Sequence, residues 1–421
     1  MNKTVTHLIG NLAPILSGLL TAPLTARSLG VDARGQLTLI LLVSAVITVI
    51  GNFGLSWLAR ADVADNPRMA GPWQRLGLRT AFAMLPVALA VGVVLAGRLQ
   101  LTGVEAASVL LLFTLSSLSA SRGVTANVLI ALGRNDLFGR ANLAMTFAMV
   151  SVIVVSFLFS WLTLAVAVVA TAVGFMVQLT ILGVGFRLAR RAQAARDAAA
   201  ATPPAAPTRL TFLGVLPRAF RSWLSQLSEI IVCRADVVLL SSQATTYQLG
   251  LYSVVALIPQ ISYQVYSTLI QQSYARSQTV SLSQRTTLLW VACAGAGLVL
   301  AGLALPAAYW LLPVIFGAPF TGARDYLLPA AALTIGLATL APVMNDVALR
   351  RRPAPFFASL ALLIAAATLA IGLLAGVMPA LFALAALFVL LSTGYVLALN
   401  RLRIFWLRPR LVIALFRGTA A

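Results

Sequence analysis

The sequence predicts an all-α polytopic membrane protein. About twelve transmembrane helices are expected, as two six-helix lobes related by a parallel repeat around a central cavity. Three observations predict it. Of 421 residues, 60% are hydrophobic and only 10% charged, with a mean hydropathy of +0.96, whereas a soluble globular domain carries roughly 25% charged residues. The apolar residues come in runs of about twenty, the length that crosses a bilayer as a helix. The basic residues fall unequally between alternate loops, as they do when a chain has one fixed orientation.

The runs cover 8–26, 36–58, 77–97, 106–131, 141–159, 162–186, 219–241, 249–273, 286–311, 326–347, 355–375 and 379–400. Asn11, Pro14 and Pro23 interrupt the first run and hydrophobic spans follow it, so it reads as a retained membrane helix rather than a signal peptide. Only short joins, near Ser160 and near Met378–Pro379, separate spans 5 and 6 and spans 11 and 12. With the N-terminus inside, 24 of the 30 Lys and Arg residues fall in inner segments. Arg27, Arg34, Arg98 and Arg324 fall outside, and Arg122 and Arg234 lie within spans. This bias places both termini in the cytoplasm, and it explains the net charge of +20 without a nucleic-acid partner.

Residues 188–210, LARRAQAARDAAAATPPAAPTRL, carry no apolar face and read as a cytoplasmic linker. They divide the chain into an N-terminal lobe, 1–187, and a C-terminal lobe, 211–421. A linker at the midpoint points to an internal repeat, and the halves can be aligned. Gly35, Leu37 and Thr38 match Gly250, Tyr252 and Ser253; Ala59-Arg60 matches Ala275-Arg276. Asn127, Arg134 and Phe138 match Asn345, Arg352 and Phe356. Each lobe holds an even number of spans, so both start on the same side and the repeat is parallel.

Polar residues within spans mark candidate sites, because a charge at membrane depth costs roughly 2.5–3.5 kcal/mol on insertion scales. Span 7 carries Glu229, Arg234 and Asp236. Ser222, Ser225, Glu229, Cys233 and Asp236 follow steps of three and four and are expected to share one helix face, with Arg234 on its flank. Span 4 carries Arg122 with Ser116, Ser119, Gly123 and Asn127 stacked at steps of three and four. Span 8 carries Gln260, Gln264, Ser267 and Gln271 in a stripe, with Tyr263, Tyr266 and Tyr274 beside it. Span 2 offers Ser44, Thr48, Asn52 and Ser56, and span 1 offers Asn11, Gly18, Thr21 and Thr25. Stripes of Ser, Thr and Gly are also what helix-packing seams look like in membranes. Amides are expensive in lipid, so Gln260, Gln264 and Gln271 are expected to line a cavity. Arg234 and Asp236 can instead be a structural pair. Arg122 either awaits an anion or reaches Glu229 or Asp236. Arginines, amides, hydroxyls and tyrosines together suit a large amphiphile with a phosphate junction, since arginine reads phosphate bidentately. The one histidine, His7, and the two cysteines, Cys233 and Cys293, form no ligand cluster, so no metal site is expected.

These residues resemble a known family. ARSLGVDARGQLTL, residues 26–39, is similar to the ARxLGxxxxGxxxL signature of Wzx-type polysaccharide flippases, members of the multidrug/oligosaccharidyl-lipid/polysaccharide (MOP) exporter superfamily. Arg234, Asp236, Gly250, Tyr252 and Ala256 follow its RxDxxxLxxxxxxxxxGxYxxA pattern, and residues 315–336 resemble the segment joining spans 9 and 10. The resemblance implies a flippase for undecaprenyl-diphosphate-linked oligosaccharides in the bacterial cytoplasmic membrane, not an enzyme. It implies alternating access and a cationic lumen, with Arg122 and Arg234 meeting the diphosphate. Asn127, Gln260, Gln264, Gln271 and Tyr263 are the other substrate-binding candidates. Glu229 and Asp236 are candidates for carrying a coupling proton or sodium ion, or for a structural pair; no other cofactor is expected. Expected partners are the lipid-linked oligosaccharide, membrane lipids, a polysaccharide polymerase and glycosyltransferases. The alternative is a cation-coupled multidrug or metabolite exporter of the same superfamily.

Overall fold

The computed structural model describes residues 3–199, 210–276, 282–349 and 354–399, and among them every regular element is helical. Contacts divide the chain into two compact units, Met1–Leu227 and Ser228–Ala421. The division falls within a helix rather than in the expected linker.

The first unit holds α1 (Lys3–Asn52), α2 (Leu55–Asp65), α3 (Ala70–Arg98), α4 (Gly103–Ala131), α5 (Asn135–Leu158), α6 (Leu164–Ala199) and the first turns of α7 (Phe212–Cys233). Spans 1 and 2 were expected as two helices. They form one helix, α1, kinked at Gly30, whose left-handed φ of 74° is open to glycine. Arg34 spans the kink by donating from Nη1 to Thr25 Oγ1 at 2.7 Å. α5 and α6 turn over at Ser160 (φ 58°), where exposed Phe159 and Trp161 stack with centroids 5.3 Å apart, as aromatic residues do at a membrane surface. α6 runs on to Ala199, so the first half of the expected linker is helical; residues 200–209 lie outside the description.

The first turns of α7 lie against the α1–α2 corner. Gly54 (φ 70°) is pressed on α7, where an added Cβ would collide with the Ala219 carbonyl and the Trp223 amide. Phe53 stacks on Trp223 at 5.7 Å, and Arg218 Nη2 meets Asp62 Oδ2 at 2.9 Å.

The second unit holds the end of α7, α8 (Ala235–Gln243), α9 (Thr246–Val255), α10 (Leu257–Arg276), α11 (Leu282–Phe316), α12 (Leu327–Leu349), α13 (Ala354–Ala375) and α14 (Val377–Leu399). Span 7 is not continuous. It breaks at Arg234 (φ −126°, ψ 13°), which separates Glu229 and Cys233 from Asp236 and ends their shared face. Span 8 breaks at Ala256, between α9 and α10; α9 starts with a capping box, Thr245 with Gln248. Gly376 (φ 90°) makes the join of α13 and α14.

Among the described residues, eight helical stretches are long and apolar enough to cross a membrane. Two of the departures from twelve separate spans are structural: spans 1 and 2 merge in α1, and spans 7 and 8 are broken into shorter helices.

The repeat is visible in the helices. α3 and α11 end at Arg98 and Phe316, 218 residues apart (316 − 98). α4 packs on α3, α6 and α2, while α12 packs on α11, α14 and α10. Asn127 Nδ2 donates to the Gly123 carbonyl at 3.0 Å, and its counterpart Asn345 donates to Ala341 at 2.9 Å.

Candidate functional site

α4 carries a stripe of polar residues through the first unit, and the stripe serves two ends. Ser116 Oγ and Ser44 Oγ share a hydrogen bond of 2.6 Å, and Ser119 donates to the Leu115 carbonyl one turn back at 2.9 Å. Hydroxyls satisfied this way can be buried in an apolar setting. This part of the stripe is a packing seam between α1 and α4.

Farther along α4 the seam opens into a cavity of about 390 Å³. Asn52 and Ser56 line it from the α1–α2 corner; Arg122, Gly123, Ala126 and Asn127 from α4. Phe138, Asn142 and Met145 of α5 and Phe175 and Gln178 of α6 close the rest. Gly123 makes room for Asn52: a Cβ there would stand 3.0 Å from Asn52 Nδ2. None of the described residues that line the cavity is acidic.

Arg122 donates from Nη1 to Gln178 Oε1, and Gln178 Nε2 donates to Asn142 Oδ1. The Arg122 guanidinium lies over the Phe175 ring, 4.8 Å from its centroid, a cation–π contact. Asn52 accepts the Ser56 amide at Oδ1 (3.2 Å) and donates from Nδ2 to Ser56 Oγ (2.9 Å). The cavity thus holds one guanidinium, partly accessible and backed by amides, with an aromatic face beside it. Such a group binds an anion and repels a cation.

Of the expected substrate residues, the structure brings Arg122 and Asn127 together here. Sequence reasoning did not single out Gln178, Asn142 or Phe175. Its signal was polar residues stacked on one helix, whereas Gln178 and Asn142 are lone amides on separate helices. A lone amide inside an apolar run was the available clue.

The other expected residues lie in the second unit. Arg234 is exposed at the break before α8, and Asp236 is buried two residues on. Asp236 receives the Tyr252 hydroxyl at 2.5 Å, joining α8 to α9; an ion pair with Arg234 is not formed. Tyr263 is buried on α10, Gln260 is half-buried and Gln264 exposed. The side chains of Glu229 and Gln271 lie outside the description. Arg285, expected in a cytoplasmic loop, is buried in α11. Asp346, also buried, accepts Thr286 Oγ1 at 2.8 Å and the Tyr395 hydroxyl at 2.7 Å.

No family profile matches the chain, and no curated protein matches it. Solved structures do. An inward-facing multidrug resistance MATE family transporter of the MOP superfamily superposes with a TM-score of 0.56 at 12% identity, over 94% of this chain and 96% of that one. The fold is that of the MATE transporters. An outward-facing form of a multidrug resistance MATE family transporter gives 0.53 at 13% identity, over 94% and 95% of the two chains. The Vibrio cholerae MATE transporter VcmN in its bent form gives 0.56 at 15% identity, over 95% of each chain.

Proposed function

We propose that this protein is an alternating-access transporter of the MOP superfamily that flips undecaprenyl-diphosphate-linked oligosaccharide across the bacterial cytoplasmic membrane, with both termini in the cytoplasm. One observation carries the choice of cargo: the cavity of the first unit presents the Arg122 guanidinium with amides around it and no acidic residue among its described lining. Guanidinium matches phosphate oxygens in charge and geometry. Amides and an aromatic face suit sugar rings. Arg234, Gln260, Gln264, Gln271 and Tyr263 of the second unit complete the proposed binding set. Glu229 and Asp236 are the proposed carriers of a coupling proton or sodium ion. A polymerase and glycosyltransferases would consume and supply the lipid-linked unit.

A second reading, a cation-coupled exporter of drugs or metabolites, is favoured by the descriptions of the similar structures, two of which are multidrug resistance transporters. The lining around Arg122 opposes a cationic cargo. The test reconstitutes wild type and Arg122 and Arg234 variants in vesicles. It follows both flipping of a fluorescent lipid-linked oligosaccharide and uptake of ethidium. Flipping is expected to fall in the order wild type, Lys, Gln at each position, because lysine keeps the charge but loses the planar fork. Gradient-driven ethidium uptake without flipping would overturn the reading. Full flipping by Arg122→Gln/Arg234→Gln would remove both arginines from it.

A further inference from the structure

The hydrogen bonds in the cavity of the first unit decide which atoms are left for a ligand. Gln178 and Asn127 are each held by a partner that can act in only one way. A guanidinium only donates. Gln178 must therefore turn Oε1 to Arg122, which leaves its Nε2 to donate to Asn142 Oδ1. The Asn142 carbonyl oxygen is consumed, and its Nδ2 remains as a donor. At Asn127 the partner is the Gly123 backbone carbonyl, which only accepts. Asn127 therefore spends Nδ2 and leaves Oδ1 as an acceptor. Neither the remaining Arg122 nitrogens nor Asn142 Nδ2 are among the sealed polar atoms that lack a partner. Both residues line the cavity.

We propose that this cavity is a site of split polarity: Arg122 and Asn142 take the anionic oxygens of a glycosyl phosphate, Asn127 accepts a hydroxyl of the attached sugar, and Gln178 is the positioning residue that sets the polarity. This rests on the reading above that the cargo is a lipid-linked oligosaccharide, and it names the part of that cargo the first unit reads. An anionic group alone would find no use for the Asn127 acceptor. A neutral sugar would leave the guanidinium without a counter-charge. Gln178 acts through its neighbours. With glutamate there, Arg122 would be neutralised, and Asn142 would have to turn its Nδ2 toward the carboxylate. That rotation would present an oxygen where the wild-type cavity presents a donor.

The experiment measures binding to the purified full-length protein in detergent micelles, by calorimetry. Three probes are used: inorganic pyrophosphate, geranyl diphosphate, and geranyl-diphosphate-linked N-acetylglucosamine. Thermal melting checks that each variant is folded. Wild type is expected to bind the glycosylated probe roughly tenfold more tightly than geranyl diphosphate. Asn127→Leu should bring those two affinities together. Gln178→Glu should weaken both diphosphate probes by roughly tenfold or more, keeping their ratio, which a merely structural change would not do. Pyrophosphate binding as tight as that of the geranyl probes would identify a free-phosphate site instead and overturn the assignment. An unchanged ratio in Asn127→Leu, or unchanged affinity in folded Gln178→Glu, overturns the split-polarity site but leaves the flippase reading intact. If Gln178→Glu fails to fold, the Asn127→Leu ratio decides alone. Failure of wild type to bind either geranyl diphosphate overturns both.

Discussion

Changing Tyr252 to Phe removes one hydroxyl from the interior of the second unit, and its cost can be worked from the structure. Tyr252 is fully buried and Asp236 is 6% exposed. The hydroxyl donates to Asp236 Oδ2 at 2.5 Å, between residues 16 apart in sequence on α8 and α9. Phenylalanine keeps the ring and its edge contact with Tyr326, at 5.7 Å between centroids and 72° between planes. Apolar packing is thus conserved, and the void left is the size of one oxygen. What is lost is the donor to a buried acceptor, and leaving such an acceptor unsatisfied costs about 1–3 kcal/mol. Equilibrium unfolding in mixed micelles, followed by near-ultraviolet circular dichroism, should show a destabilisation of that size. In an Asp236→Leu background the same Tyr252→Phe change should be close to neutral, because the acceptor is already gone; the pairwise coupling should then exceed about 0.5 kcal/mol. A single variant within about 0.5 kcal/mol of wild type, or two additive variants, would refute the idea that this bond joins α8 to α9. The cycle also bears on Asp236 as an ion carrier. A clamp predicts lost stability with the gradient dependence of the surviving protein retained, and a carrier predicts the reverse.

Two further outcomes are expected. Gly54→Ala should lower the abundance of folded protein in the membrane, since a left-handed non-glycine residue costs about 1–2 kcal/mol before its Cβ meets the α7 backbone; membrane abundance equal to wild type would show that α7 yields easily there. A cysteine placed at Ala200 should resist an impermeant maleimide in intact cells and react after permeabilisation, and labelling in intact cells would overturn the cytoplasmic assignment of residues 188–210.

The sequence by itself determined the class of the molecule. Twenty-residue apolar runs have one stable outcome in a bilayer, because only a helix satisfies every backbone group within a segment. The repeat left a trace in the sequence too: Asn127 and its counterpart Asn345 each donate to the carbonyl one turn back in their own helix. Arg122 stood out as a candidate because a charge is conspicuous within an apolar run. Tertiary structure decided the rest. The Arg234 break and the Gly30 kink are local backbone choices that hydropathy over a long window averages away. The bond between Asp236 and Tyr252 joins two helices, so helical periodicity, which describes one helix at a time, could not assign it. The same limit hid Gln178 and Asn142. Each is a lone amide in its own span, and only the packing of α4, α5 and α6 places them in line with Arg122 and fixes which of their atoms remain free.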